Sequence, residues 1–416
     1  MTFHILTLGC KINSYESESI REKMVDLGYL ESKTAADIFI VNTCAVTKTA
    51  ENKDLKAVRD ISRDYPNSRI FVMGCSSQIH KEKYLAIKGV TGVYGTGNRL
   101  KVFSCLKEKE EADNVNPDWL HFIYEEMSIR QGEHLSKATI KIQDGCSNYC
   151  SYCIVPYSRG ISRCRKHEWI IKEAKELLSS STRELVIGGI DVGSYTDPED
   201  SNYHLSDLLN ELAHLEISDE FRIRVSSIEA SQIDDNYIQV FKDNPQRLCP
   251  HFHMPLQSGS QHILGLMNRK YSLDDFYAKV LKIKEAIPHA ALSTDVISGF
   301  PGETDEDFEM TCSFIRKVGF MRIHAFPYSE REGTPAARIK QGVVPMSVRK
   351  ERTRKLISLS AELDKQYRES LEGLTMKVLI ESQDKEGFFH GYTENYLEEK
   401  LVSKKNILNS FVTIKK

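Results

Sequence analysis

Short apolar runs alternate with amphipathic stretches along most of the chain. In the first hundred residues Phe3–Leu8, Ile38–Val41, Ile70–Met73 and Val90–Tyr94 read as short buried strands. Between them Ser14–Leu27, Thr49–Arg63 and Gln78–Ile87 carry helical patterns. Such alternation predicts a parallel, doubly wound sheet over residues 1–106. Residues 107–136 are charged, carry Pro117 and show little apolar periodicity, so a solvated linker is expected. The pattern resumes with Thr139–Gln143, Glu184–Gly188, Phe221–Val225, His251–Pro255, Leu292–Ile297 and Arg322–Phe326 as strands. Helical stretches Glu168–Leu178, Leu205–Leu215, Leu273–Ile287 and Glu306–Val318 follow most of them. Six such units are too few for a closed eight-fold barrel but fit an open, partial one. A long helix, Ser347–Leu371, ends this second region at residue 371. Residues 372–416 are strand-rich and predict a small all-β barrel. The fold class is therefore multidomain α/β with a C-terminal all-β unit.

Composition narrows this picture. With 416 residues, 40% hydrophobic and 28% charged, the chain reads as globular and as two or three domains. It contains no run of eighteen apolar residues, so no membrane span is expected. The N-terminus has no basic region before its apolar part and turns acidic at once, unlike a secretory signal. The expected setting is cytoplasmic, where ten cysteines are better read as metal or redox ligands than as disulfides. A net charge of −3 gives no global field for nucleic acid. The cluster Arg349–Lys355 is a candidate phosphate-binding surface or a plain solvated face. From Gln366 onward, eight Lys/Arg face eight Asp/Glu, so charge alone does not favour RNA there.

The cysteines fall into two sets. Cys146, Cys150 and Cys153 crowd into eight residues just past a predicted strand, where barrel-type sites lie. Thiolates so close suit a soft metal or an iron–sulfur cluster, and three of them leave one position open. A zinc site lacking a nearby fourth ligand is the alternative. Cys10, Cys44 and Cys75 each follow one of the first three strands, at the sheet edge where ligands bind. Buried apolar cysteines are common, so each alone carries little, but the repeated placement points to convergence.

The Cys-x3-Cys-x2-Cys run with Tyr152 before its last cysteine resembles the radical S-adenosylmethionine (SAM) superfamily. That resemblance implies a [4Fe–4S] cluster on Cys146, Cys150 and Cys153, with SAM on the open iron. Reductive cleavage of SAM would give a 5′-deoxyadenosyl radical able to take hydrogen from an unactivated C–H bond; the cofactor carries the hard chemistry. The resemblance also assigns cofactor contacts to Tyr152, Arg165, Gly188, Gly189, Asp191, Glu229, Gln257 and Ile297. Arg159 and Arg163 offer further cations, and Cys164 has no ligand role.

With Phe252–Ser260, Met267–Tyr271 and the N-terminal cysteines, essentially the whole chain is similar to the methylthiotransferases. This implies a second [4Fe–4S] cluster on Cys10, Cys44 and Cys75, two SAM per turnover, an external electron donor, a sulfur donor and a TRAM-type C-terminal unit. The loop Gly9-Cys-Lys-Ile-Asn-Ser-Tyr-Glu-Ser-Glu18 resembles the branch acting on N6-threonylcarbamoyladenosine at tRNA position 37. The expected partner is then a tRNA anticodon arm, with Gly391–Tyr396 suited to stacking on splayed bases or forming an ordinary β-turn. The alternatives are methylthiolation of a ribosomal-protein aspartate and a non-catalytic iron–sulfur RNA-binding or redox-sensing protein.

Overall fold

The computed structural model describes residues 1–107, 112–131 and 136–416. The N-terminal sheet is built from β1 (Thr2–Thr7), β2 (Leu30–Glu31), β3 (Ile38–Thr43), β4 (Arg69–Gly74), β5 (Val90–Tyr94) and β6 (Ala112–Asn114). All six strands are parallel, in the order β2-β1-β3-β4-β5-β6. Helices α1 (Lys11–Asp26), α2 (Lys48–Asp64), α3 (Cys75–Ile79), α4 (Lys81–Leu85) and α5 (Val102–Lys107) accompany it. Two apolar cores sandwich the sheet: Phe3, Ile38, Ile40, Phe71 and Met73 on one face, Val41, Ile70, Val72 and Val93 on the other. The doubly wound reading holds because strands buried on both faces need near-continuous apolar runs.

Two details differ from the sequence reading. The expected helix Gln78–Ile87 is divided at His80, whose ring nitrogen lies 3.4 Å from the buried Glu51 carboxylate. The expected linker contributes β6 to the sheet and buries Phe122, Met127 and Ile129, so its apolar residues are packing anchors too sparse to show periodicity. Most of its charge run, residues 108–111, lies outside the described residues.

The central region supplies β7 (Lys137–Lys141), β8 (Gln143–Asp144), β9 (Arg163–Cys164), β10 (Glu184–Gly188), β11 (Arg222–Val225), β12 (His251–His253), β13 (Ala291–Ser298) and β14 (Arg322–Pro327). Helices α6 (Val155–Arg159), α7 (His167–Leu178), α8 (Leu205–Ala213), α9 (Asp235–Asp243), α10 (Gln261–Leu266), α11 (Leu273–Ala286), α12 (Asp305–Val318) and α13 (Met346–Glu369) surround them. Parallel trios β11-β10-β7 and β12-β13-β14 are joined by bridges Ile223↔Leu248 and Ser227↔His253, giving an open six-strand arc. Helix-facing positions such as Ala138, Ile140, Leu185, Ile187, Ile223, Phe252 and Leu292 form one large core. The intervening positions, including Thr139, Arg224, His253, Asp295 and His324, are polar and face the arc's hollow side. Polar residues inside an apolar framework mark the hollow as a ligand space rather than a packed core.

The C-terminal unit contains β15 (Thr375–Gln383), β16 (Phe389–Thr393), β17 (Glu398–Leu401) and β18 (Phe411–Lys415), an antiparallel sheet in the order β17-β16-β15-β18. Lys416 reaches Glu399, tying the two edge strands. This unit covers the N-terminal mouth of the arc. Arg222 and Arg224 donate to the carbonyls of Tyr392 (2.9 Å) and Glu394 (2.9 Å), and Asn395 donates to His289 O (2.8 Å).

The basic cluster on α13 divides: Lys350, Arg354 and Lys355 are exposed, as a solvated face requires, whereas Arg349 and Arg352 are not. Arg349 is buried, donating to the carbonyls of Val344 (2.8 Å) and Tyr328 (2.9 Å). Arg352 is buried against Glu303 and Asp305. Two of its arginines therefore hold the helix to the barrel, and are neither a solvated face nor a phosphate surface.

Candidate active site between two cysteine sets

Because β1, β3 and β4 are neighbours, the residues just past their C-terminal ends share one edge of the N-terminal sheet. Cys10, Cys44 and Cys75 stand there, Cys10 exposed and the other two buried. Gly9 has φ +113° and lies so close to Cys44 that a Cβ would sit 3.0 Å from its sulfur. A side chain there would separate the two cysteines, so glycine is required for both backbone and space. Asn13 binds the loops together, donating to Leu8 O (2.7 Å) and Thr43 O (3.0 Å).

The second set follows β7 and β8. Cys146 N–H donates to Gly160 O (3.0 Å), Ser151 N–H to Met267 O (2.9 Å), and Cys153 N–H to Cys150 O (2.9 Å). The triad loop is thus fixed by α6 and α10 rather than left free. One guanidinium nitrogen of Arg269 lies 3.3 Å from Cys150 Sγ and the other 3.1 Å from Glu229. Asn148 reaches Asp191 (3.3 Å) and Glu229 (3.5 Å), and Asp191 lies 3.7 Å from Cys146 Sγ.

The two sets meet. Ile154, the residue after Cys153, packs with Ala45 and Cys75 in one apolar cluster. Arg159 on α6 donates to Cys75 Sγ (3.1 Å) and to Asn13 Oδ1 (2.7 Å). Behind it, Glu16 and Asp144 are buried among Arg99, Arg159 and Lys141, with Lys141 2.7 Å from each carboxylate. Although burial opposes its charge, these cations hold the Glu16 carboxyl down at about 2. Burial, reinforced by neighbouring thiols, pushes Cys44 and Cys153 up to about 12. A bound metal would offset this cost of thiolate charge.

The donor chemistry fits iron–sulfur clusters: three thiols per set, each set with a guanidinium beside one sulfur. Among the described residues, no three His, Cys, Asp or Glu side chains converge as one ion would require. A cubane takes each thiolate on a different iron, so its ligands stand farther apart than those of a single zinc.

Other expected site residues divide. Tyr152 and Ile297 come together in an apolar cluster with Phe300 and Tyr328. Asp191 and Glu229 flank the triad through Asn148, and Gln257, at φ +64°, exchanges backbone hydrogen bonds with Asp295 and Ile297 beside that cluster. Gly188 packs on Thr139 and Ile12, and Gly189 on Gln143. Arg165 is not brought to the triad. Its guanidinium is buried against Glu126 (2.8 Å) and Glu173, deep beside Tyr15. The cation at the triad is Arg269, whose segment was visible in the sequence but whose role depends on the fold. Gln143 was missed: its Oε1 accepts from Ile190 N (3.0 Å) and Asp191 N (2.8 Å), pinning the segment after the glycine pair. No spacing rule marks a lone glutamine. Cys164 receives Thr196 N–H at 3.5 Å and packs on the main core, a structural role.

Residues 140–315 match the radical SAM superfamily model, and residues 2–95 match the uncharacterized protein family UPF0004. The chain is 37% identical over 425 residues to a threonylcarbamoyladenosine tRNA methylthiotransferase MtaB of Bacillus subtilis, covering 100% of this chain and 93% of the relative. The chain belongs to the radical SAM methylthiotransferase family. The Thermotoga maritima MtaB is 35% identical over 405 residues, covering 96% of this chain and 91% of that relative. A tRNA-2-methylthio-N(6)-dimethylallyladenosine synthase of Bacillus thuringiensis is 37% identical over 428 residues, covering 99% and 83%. Among solved structures, the radical SAM methyltransferase TsrM of Kitasatospora setae, with cobalamin and a [4Fe–4S] cluster bound, aligns with TM-score 0.60 at 13% identity, over 81% of this chain and 77% of that one. At that identity the likeness concerns fold. Within the methylthiotransferase fold, Cys146, Cys150 and Cys153 stand at the C-terminal end of the first arc strand.

Proposed function

We propose that the protein is a tRNA methylthiotransferase that inserts sulfur at C2 of N6-threonylcarbamoyladenosine at position 37 and methylates it, giving the 2-methylthio product. The observation that carries this reading is the abutment of the two cysteine sets through Ile154, Cys75 and Arg159. A [4Fe–4S] cluster with SAM on Cys146, Cys150 and Cys153 would supply the carbon-centred radical, and a second cluster on Cys10, Cys44 and Cys75 would hold the sulfur to be transferred. The chain's own residues do the positioning. Arg269 places positive charge beside Cys150, where thiolate charge must be carried. Asp191 and Glu229 offer acceptors beside the triad for an amino group. The cluster of Tyr152, Ile297 and Phe300 presents an apolar wall suited to an adenine ring. Arg159 joins the halves, so that the radical and the sulfur meet in one space.

A tRNA anticodon arm, an external electron donor and a sulfur donor complete the reaction. Two named relatives act on threonylcarbamoyladenosine, which favours that substrate. Relatives named for the dimethylallyl nucleoside are equally identical but are covered to 83% of their length, against 93% for the Bacillus subtilis MtaB. Mass spectrometry of tRNA nucleosides from a deletion strain should show 2-methylthio-N6-threonylcarbamoyladenosine vanish while its precursor accumulates. Loss of the dimethylallyl product instead would transfer the assignment to that substrate. An unchanged nucleoside profile with a mass shift in a ribosomal protein would favour the aspartate reaction.

A further inference from the structure

The hollow of the arc holds a cavity of about 420 Å³ beneath the Gln257–Ile297 segment. It shares Lys11, Val186 and Tyr396 with a second opening between α1, β7 and the C-terminal sheet, so a ligand can reach it from outside. Lys11 follows Cys10 directly in the chain, which puts the cavity beside the N-terminal cysteines. Asp295 in its wall accepts Gln257 N–H through its carbonyl at 2.8 Å, which ties the cavity wall to the segment beside the Tyr152–Ile297 cluster.

Its wall is cationic. Lys11, Arg224 and Arg322 face a single carboxylate, Asp295, and that carboxylate lies 3.2 Å from His253. Arg224 is occupied by Glu184 and the carbonyls of Thr393 and Glu394. Among the described residues, the side chains of Arg322 and Lys11 have no hydrogen-bond or ion-pair partner, although Lys11 Nζ lies 5.8 Å from the ring centre of Tyr396. His251 is 6% exposed and its Nδ1 has no partner, while its Nε2 is 2.9 Å from Ser293 Oγ. The buried, unpartnered His251 nitrogen is costly unless a ligand satisfies it, while the half-buried Arg322 and the exposed Lys11 leave positive charge free to meet an anion.

We propose that this cavity receives the carboxylate-bearing N6 substituent of the substrate adenosine, with Arg322 and Lys11 as its charge partners and His251 Nδ1 as a further polar contact. The inference rests on the threonylcarbamoyladenosine reading and deepens it: Arg322 becomes a specificity-determining residue. A purely apolar substituent would leave these groups desolvated and unpaired, and sites built for polar groups reject such analogues strongly.

The test uses full-length enzyme with both clusters reconstituted anaerobically. Its probes are two anticodon stem-loops, one carrying N6-threonylcarbamoyladenosine and one carrying its carboxamide. Wild type should bind the acid tighter by on the order of ten- to a hundredfold, the value of one charge-assisted hydrogen bond. Arg322→Met should lose that margin for the acid while binding the amide as wild type does, raising KM far more than it lowers kcat. Arg322→Lys should restore most of it, and Lys11→Met should give a smaller loss of the same kind. Equal wild-type binding of acid and amide overturns the proposal. So does equal weakening of both RNAs by Arg322→Met, which would place the arginine on backbone phosphate. Turnover of the acid without acid–amide discrimination contradicts this inference alone. Turnover of a dimethylallyl stem-loop but not of the acid contradicts the substrate reading itself.

Discussion

The two cysteine sets use the same side chain in opposite ways. Cys146, Cys150 and Cys153 are local: one loop carries all three, and strand β7 merely delivers it. Cys10, Cys44 and Cys75 are global: three loops meet only because β1, β3 and β4 are adjacent. Their charge partners differ as well. Arg269 at Cys150 pairs with one carboxylate, Glu229. Arg159 at Cys75 belongs to a buried network with Glu16 and Asp144 that crosses between the N-terminal sheet and the arc. The local set is therefore carried by one loop that α6 and α10 hold in place, whereas the global set needs the whole N-terminal sheet and takes its charge partner, Arg159, from the other half.

The sharpest break in this symmetry is Cys150→Ala. It should abolish 5′-deoxyadenosine formation and reduce reconstituted iron from about eight to about four per chain. Retained cofactor cleavage would remove the local set from radical generation.

A smaller effect is expected from Arg159→Met. It leaves Glu16 and Asp144 short of a buried partner and should cost about 3–5 kcal/mol of stability in urea unfolding. Iron on the N-terminal set should be lost before iron on the local triad. Loss in the reverse order would contradict the division between global and local.

Acid should probe the same joint more gently. Glu16 is held at about 2, below the ordinary glutamate value of about 4.3, so the unfolded chain takes up a proton first as pH falls. The stabilisation is complete above pH of about 4.3 and is lost as pH falls towards about 2. The urea midpoint should drop across that window, and Glu16→Gln should flatten the drop. An unaltered pH profile in the variant would show that Glu16 is not the titrating group.

How far the sequence revealed this follows the same line. The local triad was legible because its three cysteines lie within eight residues of one loop. The strand-end placement of Cys10, Cys44 and Cys75 was legible once βα alternation was recognised. Arg165 misled because proximity in sequence was taken for proximity in space; β9 turns its side chain into the Glu126–Glu173 pair instead. Arg269 and Gln143 act across loops, and nothing in their neighbours announces that. Helix α10 and strand β2 escape the pattern because they are short and span too few turns or pleats to register. Gly391–Tyr396 was noticed for its aromatic residues, and the fold turns them toward the arc, with Tyr396 5.0 Å from the His251 ring and 4.5 Å below Arg224. That placement makes Tyr396 part of the cavity wall.

Cys44→Ala measures most directly whether the two sets have separate duties. Reconstituted with reductant, SAM and a threonylcarbamoyladenosine stem-loop, the variant should still release 5′-deoxyadenosine and form no 2-methylthio product. Full product from Cys44→Ala would make the N-terminal set structural only and contradict the two-cluster reading.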